Sequence, residues 1–445
     1  MKKDIDMLNG SLWSKIILFA LPIVTTSIVQ QLFNSADTAI IGKFGEIGAL
    51  AAVGTNGEIV AMLVSLSSGL SIGANVLISR FIGSGKKENI QKAVTTAIIT
   101  AIIFGITLSV IGYIAALPLL RLINTPQDIL NNAVTYLRTY CLSIPFLMIY
   151  DFGSAIFRSR GDSKRPLIAL IVSGAINVML NLLFVIVFRM NIVGVALATV
   201  ISTVLSAVIV VYWLFREKEE FKLTLHGYDK NCFSQIIRIG IPAALQGAVF
   251  CFANIFVQAS VNTFGSYAVA GSAIAVTFEY FAYYAITSFG QAATTFISQN
   301  YAARKYDRCK KTLYICLFLS FISCAVITVP LTIFCHQVSG LFTSVPQEIE
   351  MSCIRIMLIL IFEPICSFYE ITASAMRGFG YSTLPAIEII IGICAFRIVW
   401  IFMVFRHIGT LQSLYVVFPI TWVVTSLIVI TSYIILKKSI RTLSS

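Results

Sequence analysis

The chain has 445 residues, of which 58% are hydrophobic and only 12% are charged, and its mean hydropathy is +0.90. A soluble globular domain carries about a quarter charged residues, so this composition excludes that class. The net charge of +12 could suggest a nucleic-acid-binding protein. The cations lie in short loops that flank apolar segments and form no continuous stripe, so we interpret them as determinants of membrane topology.

Apolar segments of about 20 residues, each long enough to cross a bilayer as a helix, recur along the whole chain. Short polar loops separate them, and no soluble domain or low-complexity tail interrupts this alternation. The sequence therefore predicts an all-α, multi-pass integral membrane protein. The twelve predicted spans are residues 15–41, 51–79, 93–117, 131–156, 167–188, 193–215, 233–263, 268–299, 312–335, 349–375, 384–405 and 412–436.

The positively charged residues concentrate in alternate loops, which predicts the orientation of the chain. By the positive-inside rule both termini are cytoplasmic, and we expect the plasma (inner) membrane of a prokaryote. The opposite loops contain only Lys43, Arg121, Arg189 and Arg406. The cation-rich segments are the N-terminus with Lys2, Lys3 and Lys15, residues 80–92, 158–165, 216–230 and 304–311, Arg377, and the C-terminus with Lys437, Lys438 and Arg441.

The chain contains an internal repeat, with a spacing of 220 residues at first and 219 later. Six spans per half bring the second half into the membrane from the same side, so the repeat is parallel, as in many two-lobed transporters. We predict two pseudo-symmetric six-helix bundles, residues 1–215 and 232–445, joined by a cytoplasmic linker at 216–231. Matching pairs include Pro22 with Pro242, Asn34 with Asn254, Pro145 with Pro364, and Arg158 with Arg377.

Motifs for other chemistry are scarce. The ten cysteines lie singly in apolar runs or at their ends, so we interpret them as small core residues rather than as disulfides or metal ligands. No phosphate-binding loop is present, so the chain carries no ATP motor of its own. We predict that it is not an enzyme, uses no cofactor and no metal beyond a possible Na⁺, and derives its energy from an ion gradient.

Ionisable residues inside spans are costly, and they are the first candidates for function. Asp37 is the strongest of them, because Gln30, Asn34 and Asp37 share one face of the first helix. Burial favours the protonated form of a carboxylic acid, which a proton carrier requires. Carboxylate and amide oxygens also suit a hard cation such as Na⁺. A carboxylate that is satisfied by water near the outer membrane boundary is the alternative interpretation.

Asn177 and Asn181 form an i, i+4 pair in the fifth span, and Thr199 in the sixth span offers a hydroxyl oxygen. Asparagine inside a span can bind a ligand, but it also joins neighbouring helices by hydrogen bonds. From the residues alone, these two roles of the asparagines are equally open.

Glu279 lies in the middle of the eighth span among aromatic residues. It could attract an organic cation, together with the aromatic rings, or it could form an ion pair, for which we expect Arg397 as the partner. The seventh span keeps polar residues at multiples of four. The candidates for the substrate cavity are Gln30, Gln246, Asn254, Gln258 and Glu279.

Asp151 and Glu370 occupy equivalent positions of the repeat, near the cytoplasmic ends of their spans. Each is followed seven residues later by an arginine, Arg158 or Arg377. We expect these acids to have structural or gating roles, through pairing with those arginines or with neighbouring loops.

These residues resemble those of the multidrug and toxic compound extrusion (MATE) family of cation-coupled efflux antiporters. The resemblance covers both halves, and the order and spacing of its elements fit from end to end. It rests on Asn34-x-x-Asp37 followed by Gly42 and Phe44-Gly45, the loop Arg158–Pro166, Asn177 with Asn181, the segment from Gly194 to Thr199, the loop Arg377–Pro385, and Phe396-Arg397 with Trp400.

The resemblance implies two bundles of six helices, a central cavity open to one side, and a cation site in the N-terminal lobe. By that resemblance, the cation site maps onto Asn34, Asp37, Asn177, Asn181 and Thr199.

The chain also departs from the family pattern. Many relatives carry aspartate where this chain has Asn181, and the best understood ones carry tyrosine at the position of Phe33. Some relatives use an acid on the seventh helix where Phe250 stands here, and the repeat counterpart of Asp37 is Val257. We therefore predict coupling centred on Asp37, with H⁺ slightly preferred over Na⁺.

We thus predict a cation-coupled antiporter that exports amphipathic organic compounds, chiefly cations, by alternating access. Its expected partners are small-molecule substrates and the lipid bilayer, without nucleic acid or an obligate protein partner. One alternative is a lipid-linked oligosaccharide flippase of the same superfamily, which should line its cavity with several cations, whereas only Arg397 is clearly mid-span. A receptor or channel is a second alternative, against which the duplicated lobes argue.

Overall fold

The computed structural model describes residues 4–46, 48–123, 125–224 and 227–442, and the side chains only as far as residue 437. The described part therefore omits Lys2, Lys3 and the side chains of Lys438 and Arg441, all of which helped to predict the orientation. It also omits linker residues 225–226. Within that part the chain is almost entirely helical and contains no β-strand.

Among the described residues, eleven helices are long and apolar enough to cross a membrane, or twelve when one bent pair is counted as a single span. Each of the predicted spans overlaps one of them, so the predicted all-α membrane fold is confirmed. The helices are α1 (Leu12–Phe44), α2 (Gly57–Gly83), α3 (Lys87–Leu122), α4 (the bent pair Gln127–Cys141 and Ile144–Ser159), α5 (Lys164–Val187), α6 (Asn191–Phe215), α7 (Lys230–Asn262), α8 (Ser266–Ala302), α9 (Tyr306–Ile333), α10 (Pro346–Gly378), α11 (Thr383–Ile408) and α12 (Leu411–Lys437).

The helices α4 and α10 are interrupted at equivalent places of the repeat. The two halves of α4 meet at 44°, with Pro145 at the start of the second half. In α10 a 3₁₀ turn, Leu360–Ile365, contains Pro364. Proline lacks an N–H and its ring clashes with the preceding helical turn, which explains both interruptions.

The chain divides into two compact units, which we call the N-terminal and the C-terminal unit. The N-terminal unit comprises Leu21–Ala248 and the start of the chain through Asp6, and the C-terminal unit comprises Met7–Ala20 and the chain from Val249 onwards. The first turns of α1 thus belong to the C-terminal unit, and the first turns of α7 belong to the N-terminal unit. The lobe boundaries given by the sequence analysis stay a prediction.

Equivalent hydrogen bonds show that the two units are built alike. In the N-terminal unit Asn75 Nδ2 donates to the carbonyl of Ala155, and Ser79 Oγ donates to that of Ser159. In the C-terminal unit Thr294 Oγ1 and Ser298 Oγ donate to the carbonyls 80 residues further on, at positions 374 and 378. These bonds join α2 to α4 and α8 to α10, and they recur at the spacing of 219 found in the sequence.

The start of α7 lies directly against α2 inside the N-terminal unit. A Cβ added to Gly73 would lie 2.1 Å from the carbonyl oxygen of Ile236, and one added to Gly240 would lie 2.6 Å from that of Leu70. Small residues permit such close backbone approach between membrane helices, where packing rather than apolar burial drives association. Substitution by any larger residue here would separate α2 from α7.

The linker that follows α6 is held by a charge cluster at the end of the helices. Glu217 accepts hydrogen bonds from Arg160 and Arg165, and Arg165 also pairs with Asp162. Burial alone would raise the pKa of Glu217, but the hydrogen bonds and charges of the two arginines outweigh it and lower that pKa. The Arg158–Pro166 loop is therefore tied to the linker by charge.

Candidate functional site

Asp37, Asn177 and Asn181 come together inside the N-terminal unit. Asn181 Nδ2 donates to Asp37 Oδ1 at 2.5 Å and to Asn177 Oδ1 at 3.2 Å, so one amide group joins α1 to α5. Asn181 is fully buried and Asn177 is 5% exposed, whereas Asp37 is half-buried. The three side chains form an oxygen-rich cluster, of which Asp37 is the most exposed member.

One oxygen of this cluster lacks a partner. Asn181 Oδ1 is buried and receives no hydrogen bond from the described residues. A buried acceptor without a donor is costly, on the order of 1–3 kcal/mol. A proton-bearing group or a small cation next to this oxygen would remove that cost. The cluster thus has the donor set of a site for a hard cation, with one formal negative charge.

Local packing fixes the position of α1 against α5. The ring of Phe33 occupies the space that a side chain at Gly174 would fill, since an added Cβ would lie 1.8 Å from it. Gly174 lies one turn before Asn177, so this contact sets the height at which Asp37 meets the asparagines. Directly after Asn181 the helix widens into a π-helical turn, Leu183–Val187, a distortion that is frequent at functional sites.

The remaining members of the predicted cation site make no hydrogen bond to this cluster among the described residues. The side chain of Asn34 is exposed and makes no hydrogen bond to any described residue. Thr199 Oγ1 donates to the carbonyl of Val195 within its own helix. Gln30, which lies four residues before Asn34 on the same helical face, is half-buried. Of the five predicted positions, the structure connects Asp37, Asn177 and Asn181 by hydrogen bonds.

Two tyrosines of α4 also belong to the surroundings of Asp37. Tyr136 and Tyr140 are buried, and their rings stack with centroids 6.3 Å apart. Both hydroxyls are close enough to Asp37 for electrostatic interaction. Neither tyrosine was predicted from the sequence, although their i, i+4 spacing in the amphipathic segment 127–141 was a usable signal.

The C-terminal unit holds a different arrangement, an ion pair between α8 and α10. Arg355 Nε and Nη2 donate to the two carboxylate oxygens of Glu279 at 2.6 and 2.9 Å, and Arg355 Nη1 donates to Ser272 Oγ at 2.7 Å. The guanidinium also lies over the rings of Tyr415 and Phe418. This forked geometry is the strongest form of a charge-assisted hydrogen bond.

The predicted pairing of Glu279 with Arg397 is therefore wrong. Arg355, which the sequence analysis did not consider, lies within reach of Glu279 and satisfies both of its oxygens. Arg397 is instead 1% exposed and lies over the ring of Phe418 at 3.9 Å and over that of Phe250 at 5.7 Å. Its Nε and Nη1 donate no hydrogen bond to any described residue. Aromatic ring faces therefore take the place of hydrogen-bond acceptors around this guanidinium group.

A second carboxylate of the C-terminal unit was also missed. Glu363 lies in the 3₁₀ turn of α10, is 4% exposed, and interacts electrostatically with Glu279 and Arg355. Its Oε2 has no hydrogen-bond partner among the described residues. The Glu-Pro dipeptide inside an apolar span was the signal that could have indicated it.

The gating candidates differ between the two units. Glu370 pairs with Arg377 at 3.4 Å, as predicted. Asp151 instead accepts a hydrogen bond from Ser67 Oγ at 2.6 Å, and no ion pair joins it to Arg158 within the described chain. At the spacing of 219, the counterpart of Ser67 is Ile286. Because isoleucine cannot donate a hydrogen bond, Glu370 pairs with Arg377 instead.

The polar face predicted for α7 is present. Gln246, Asn254 and Gln258 are half-buried. Gln258 Nε2 donates to Asn262 Oδ1 at 2.9 Å, an i, i+4 bond along the same face.

The fold and the clusters define a class of protein. A duplicated chain whose described part holds eleven or twelve apolar helices, with titratable groups inside each unit, has the architecture of a membrane transporter. A family model described as MatE matches residues 22–183 and again residues 242–403. The chain therefore belongs to the MatE family of membrane transporters, and the family resemblance seen in the sequence is confirmed.

Relatives cover nearly the whole chain. It is 27% identical over 434 residues to the probable multidrug resistance protein YoeA of Bacillus subtilis, covering 95% of this chain and 94% of that protein. It is 25% identical to the probable multidrug resistance protein NorM of Thermotoga maritima, covering 88% and 86%. An outward-facing structure of a multidrug resistance MATE family transporter superposes with a TM-score of 0.91 and 22% identity over 99% of both chains, which supports the fold.

Proposed function

We propose that this protein is a cation-coupled antiporter that exports amphipathic organic cations in exchange for H⁺ or Na⁺. Membership of the MatE family and the naming of its relatives as multidrug resistance proteins support transport of drug-like compounds. We further propose that both termini are cytoplasmic. The protein then needs no cofactor, chemical conversion of its substrate or protein partner, since the ion gradient supplies the energy.

The observation that carries this proposal is the hydrogen-bonded cluster of Asp37, Asn181 and Asn177. It offers one carboxylate, amide oxygens and a buried acceptor without a partner. A dehydrated Na⁺ would meet a single formal negative charge here, whereas a proton needs only the carboxylate. We therefore favour H⁺ as the coupling ion.

Occupation of the cluster would act on the contact between α1 and α5. A proton or Na⁺ on Asp37 weakens its charge-assisted hydrogen bond from Asn181, which is the direct polar link between these helices. The packing of Phe33 against Gly174 would then be free to change. Antiport requires that cation and substrate favour opposite conformations, and a movable α1 provides two such conformations.

We propose the surroundings of Glu279 as the place where an organic cation binds. The rings of Tyr280 and Tyr284 stack along the same helix, with centroids 6.2 Å apart, and the Tyr280 side chain is partly exposed. An organic cation would compete with the Arg355 guanidinium for the carboxylate and for aromatic faces. Asn254 and Gln258 of the same unit would supply adaptable polar contacts, consistent with broad selectivity.

The test is transport by the purified protein in liposomes, with a fluorescent organic cation and either a pH gradient or a Na⁺ gradient. We expect uphill movement under one gradient and its loss in Asp37→Asn. Asp128→Asn, which removes an exposed carboxylate at the start of α4, is the matched control and should transport like the unaltered protein. Uphill transport retained by Asp37→Asn would refute the coupling role of Asp37.

The flippase alternative predicts a different result, namely movement of a lipid-linked anion and none of the organic cation. Of the three buried arginines in the described part of the C-terminal unit, Arg355 pairs with Glu279 and Arg377 pairs with Glu370, so only Arg397 lacks an acidic partner among the described residues. A single free cation is a weak basis for holding a pyrophosphate, so we favour the antiporter.

A further inference from the structure

A cluster of thiol and imidazole groups lies in the C-terminal unit, where the chain passes from α9 to α10. Cys335 and His336 begin a short helix, Cys335–Ser339, directly after α9, and Cys353 lies in the second turn of α10. The two sulfur atoms and an imidazole nitrogen all lie within 4.8 Å of one another. These residues are remote in sequence from the coupling cluster around Asp37.

The structure brings Cys353 to this place by specific contacts. Ser339 Oγ and Ser352 Oγ share a hydrogen bond at 2.9 Å, which joins the end of the short helix to the turn that carries Cys353. Both serines are fully buried. Cys335 Sγ already lies 3.4 Å from His336 Nδ1. The separation expected between donors around a tetrahedral Zn²⁺ is about 3.5 Å, from metal–sulfur and metal–nitrogen bonds of about 2.3 and 2.0 Å.

The burial pattern suits a metal site with one open side. Cys335 and Cys353 are 1% and 4% exposed, whereas His336 is exposed. All ten cysteines are free thiols, so no disulfide occupies these sulfur atoms. Sulfur and imidazole ligands select soft cations such as Zn²⁺ or Cu⁺ over Na⁺ or Mg²⁺, so this site would not compete with the oxygen ligands around Asp37.

We propose that Cys335, His336 and Cys353 form a binding site for a soft d¹⁰ cation such as Zn²⁺. Two buried thiolates and one exposed imidazole supply three ligands, and a water molecule on the exposed side completes a tetrahedral set. The bound ion joins the short helix to the first turns of α10 and stabilises this end of the C-terminal unit. The cysteines are then ligands, not only the small core residues of the sequence analysis.

The experiment uses the full-length purified protein, freed of metal and reduced, and titrates it with Cd²⁺ while recording the ultraviolet thiolate-to-metal charge-transfer band. We expect one equivalent per chain, displacement by Zn²⁺, and a rise in the thermal unfolding temperature with Zn²⁺. His336→Ala should lower the affinity by more than about tenfold, because even the loss of an outer-shell partner costs 10- to 100-fold. Cys353→Ala should abolish the stoichiometric band.

Two matched variants serve as controls. Cys324→Ala removes a thiol that is buried in the same core cluster but lies outside the ligand group. His407→Ala removes another exposed histidine of the C-terminal unit. Both should keep the affinity of the unaltered protein.

Three results would overturn the proposal: no stoichiometric band in the unaltered protein, an equal band in Cys353→Ala, or a Cys335–Cys353 disulfide in peptides from the protein as isolated from cells. If Cys353→Ala fails to fold, alkylation of the unaltered protein decides the matter. Zn²⁺ should protect Cys335 and Cys353 from alkylation in the same concentration range, and lack of protection would refute the site.

Discussion

The two units place charge in their interiors in opposite ways. In the N-terminal unit the carboxylate of Asp37 accepts a hydrogen bond from the neutral amide of Asn181 and forms no ion pair with any described residue. In the C-terminal unit Glu279 is neutralised by a forked bond from Arg355. At the spacing of 219, Arg355 is the counterpart of Tyr136. One repeat position thus carries a neutral hydroxyl in one unit and a fixed cation in the other.

This difference indicates how a duplicated transporter separates its tasks. A carboxylate without a fixed counter-ion changes its interactions greatly when it takes up a cation, whereas a carboxylate already held by arginine changes little. Ion coupling is therefore expected where the cation partner is absent. The other unit keeps a charge pair that joins α8 to α10.

The largest effect is expected from breaking the charge pair. Arg355→Met leaves Glu279 buried without its counter-ion, and removing one partner of such a pair typically costs 3–5 kcal/mol. We expect a large fall in the thermal unfolding temperature of the purified protein. The double variant Glu279→Gln, Arg355→Met removes both charges and should recover much of the loss. Equal stability of the single and double variants would show that the pair does not order the C-terminal unit.

A second variant tests the same comparison by adding a negative charge to the cluster around Asp37 in the N-terminal unit. Asn181→Asp places a second carboxylate next to Asp37. A unit charge at 4 Å contributes about 4 kcal/mol at an effective dielectric constant of 20. Even after desolvation costs, we expect the purified variant to bind Na⁺ at least about tenfold more tightly than the unaltered protein does.

The control for this prediction is Asn177→Asp, which adds the same charge at a position that does not bond to Asp37 directly. It should raise the Na⁺ affinity less than Asn181→Asp does. No change in Na⁺ affinity for Asn181→Asp would contradict the placement of the cation between α1 and α5.

The sequence was sufficient for the fold because hydrophobic length, charge in loops and the repeat are properties of the whole chain. It also singled out Asp37, Asn177 and Asn181, which the structure joins by hydrogen bonds, because polar residues are rare in spans. The role of Asn34 stays a prediction, because its side chain shares a helical face with Asp37 but is exposed. Residues that share one helical face by their spacing do not all contact the neighbouring helix, because only part of that face meets it.

The sequence could not predict which side chains of distant helices contact each other, and the reason is different. Glu279 had two possible arginines, and only the packing of α8 against α10 brings Arg355 rather than Arg397 to it. The same limit applies to Cys353, which lies beside Cys335 and His336 because two buried serines join their turns. These contacts depend on the rotation of whole helices, which no local pattern specifies.

The smallest effect concerns the acids near the helix ends, which also differ between the units. Ser67→Ala removes the hydroxyl that donates to Asp151 and should destabilise the protein by about 1–3 kcal/mol, because a buried carboxylate loses a donor. Ser71→Ala is the matched control, one turn further along α2. Its hydroxyl donates only to the carbonyl of Ser68 in the same helix, so its loss should cost less than about 1 kcal/mol. Thermal unfolding of both variants measures the difference. Equal effects would mean that Asp151 finds another donor, and the contrast with the Glu370–Arg377 pair would then disappear.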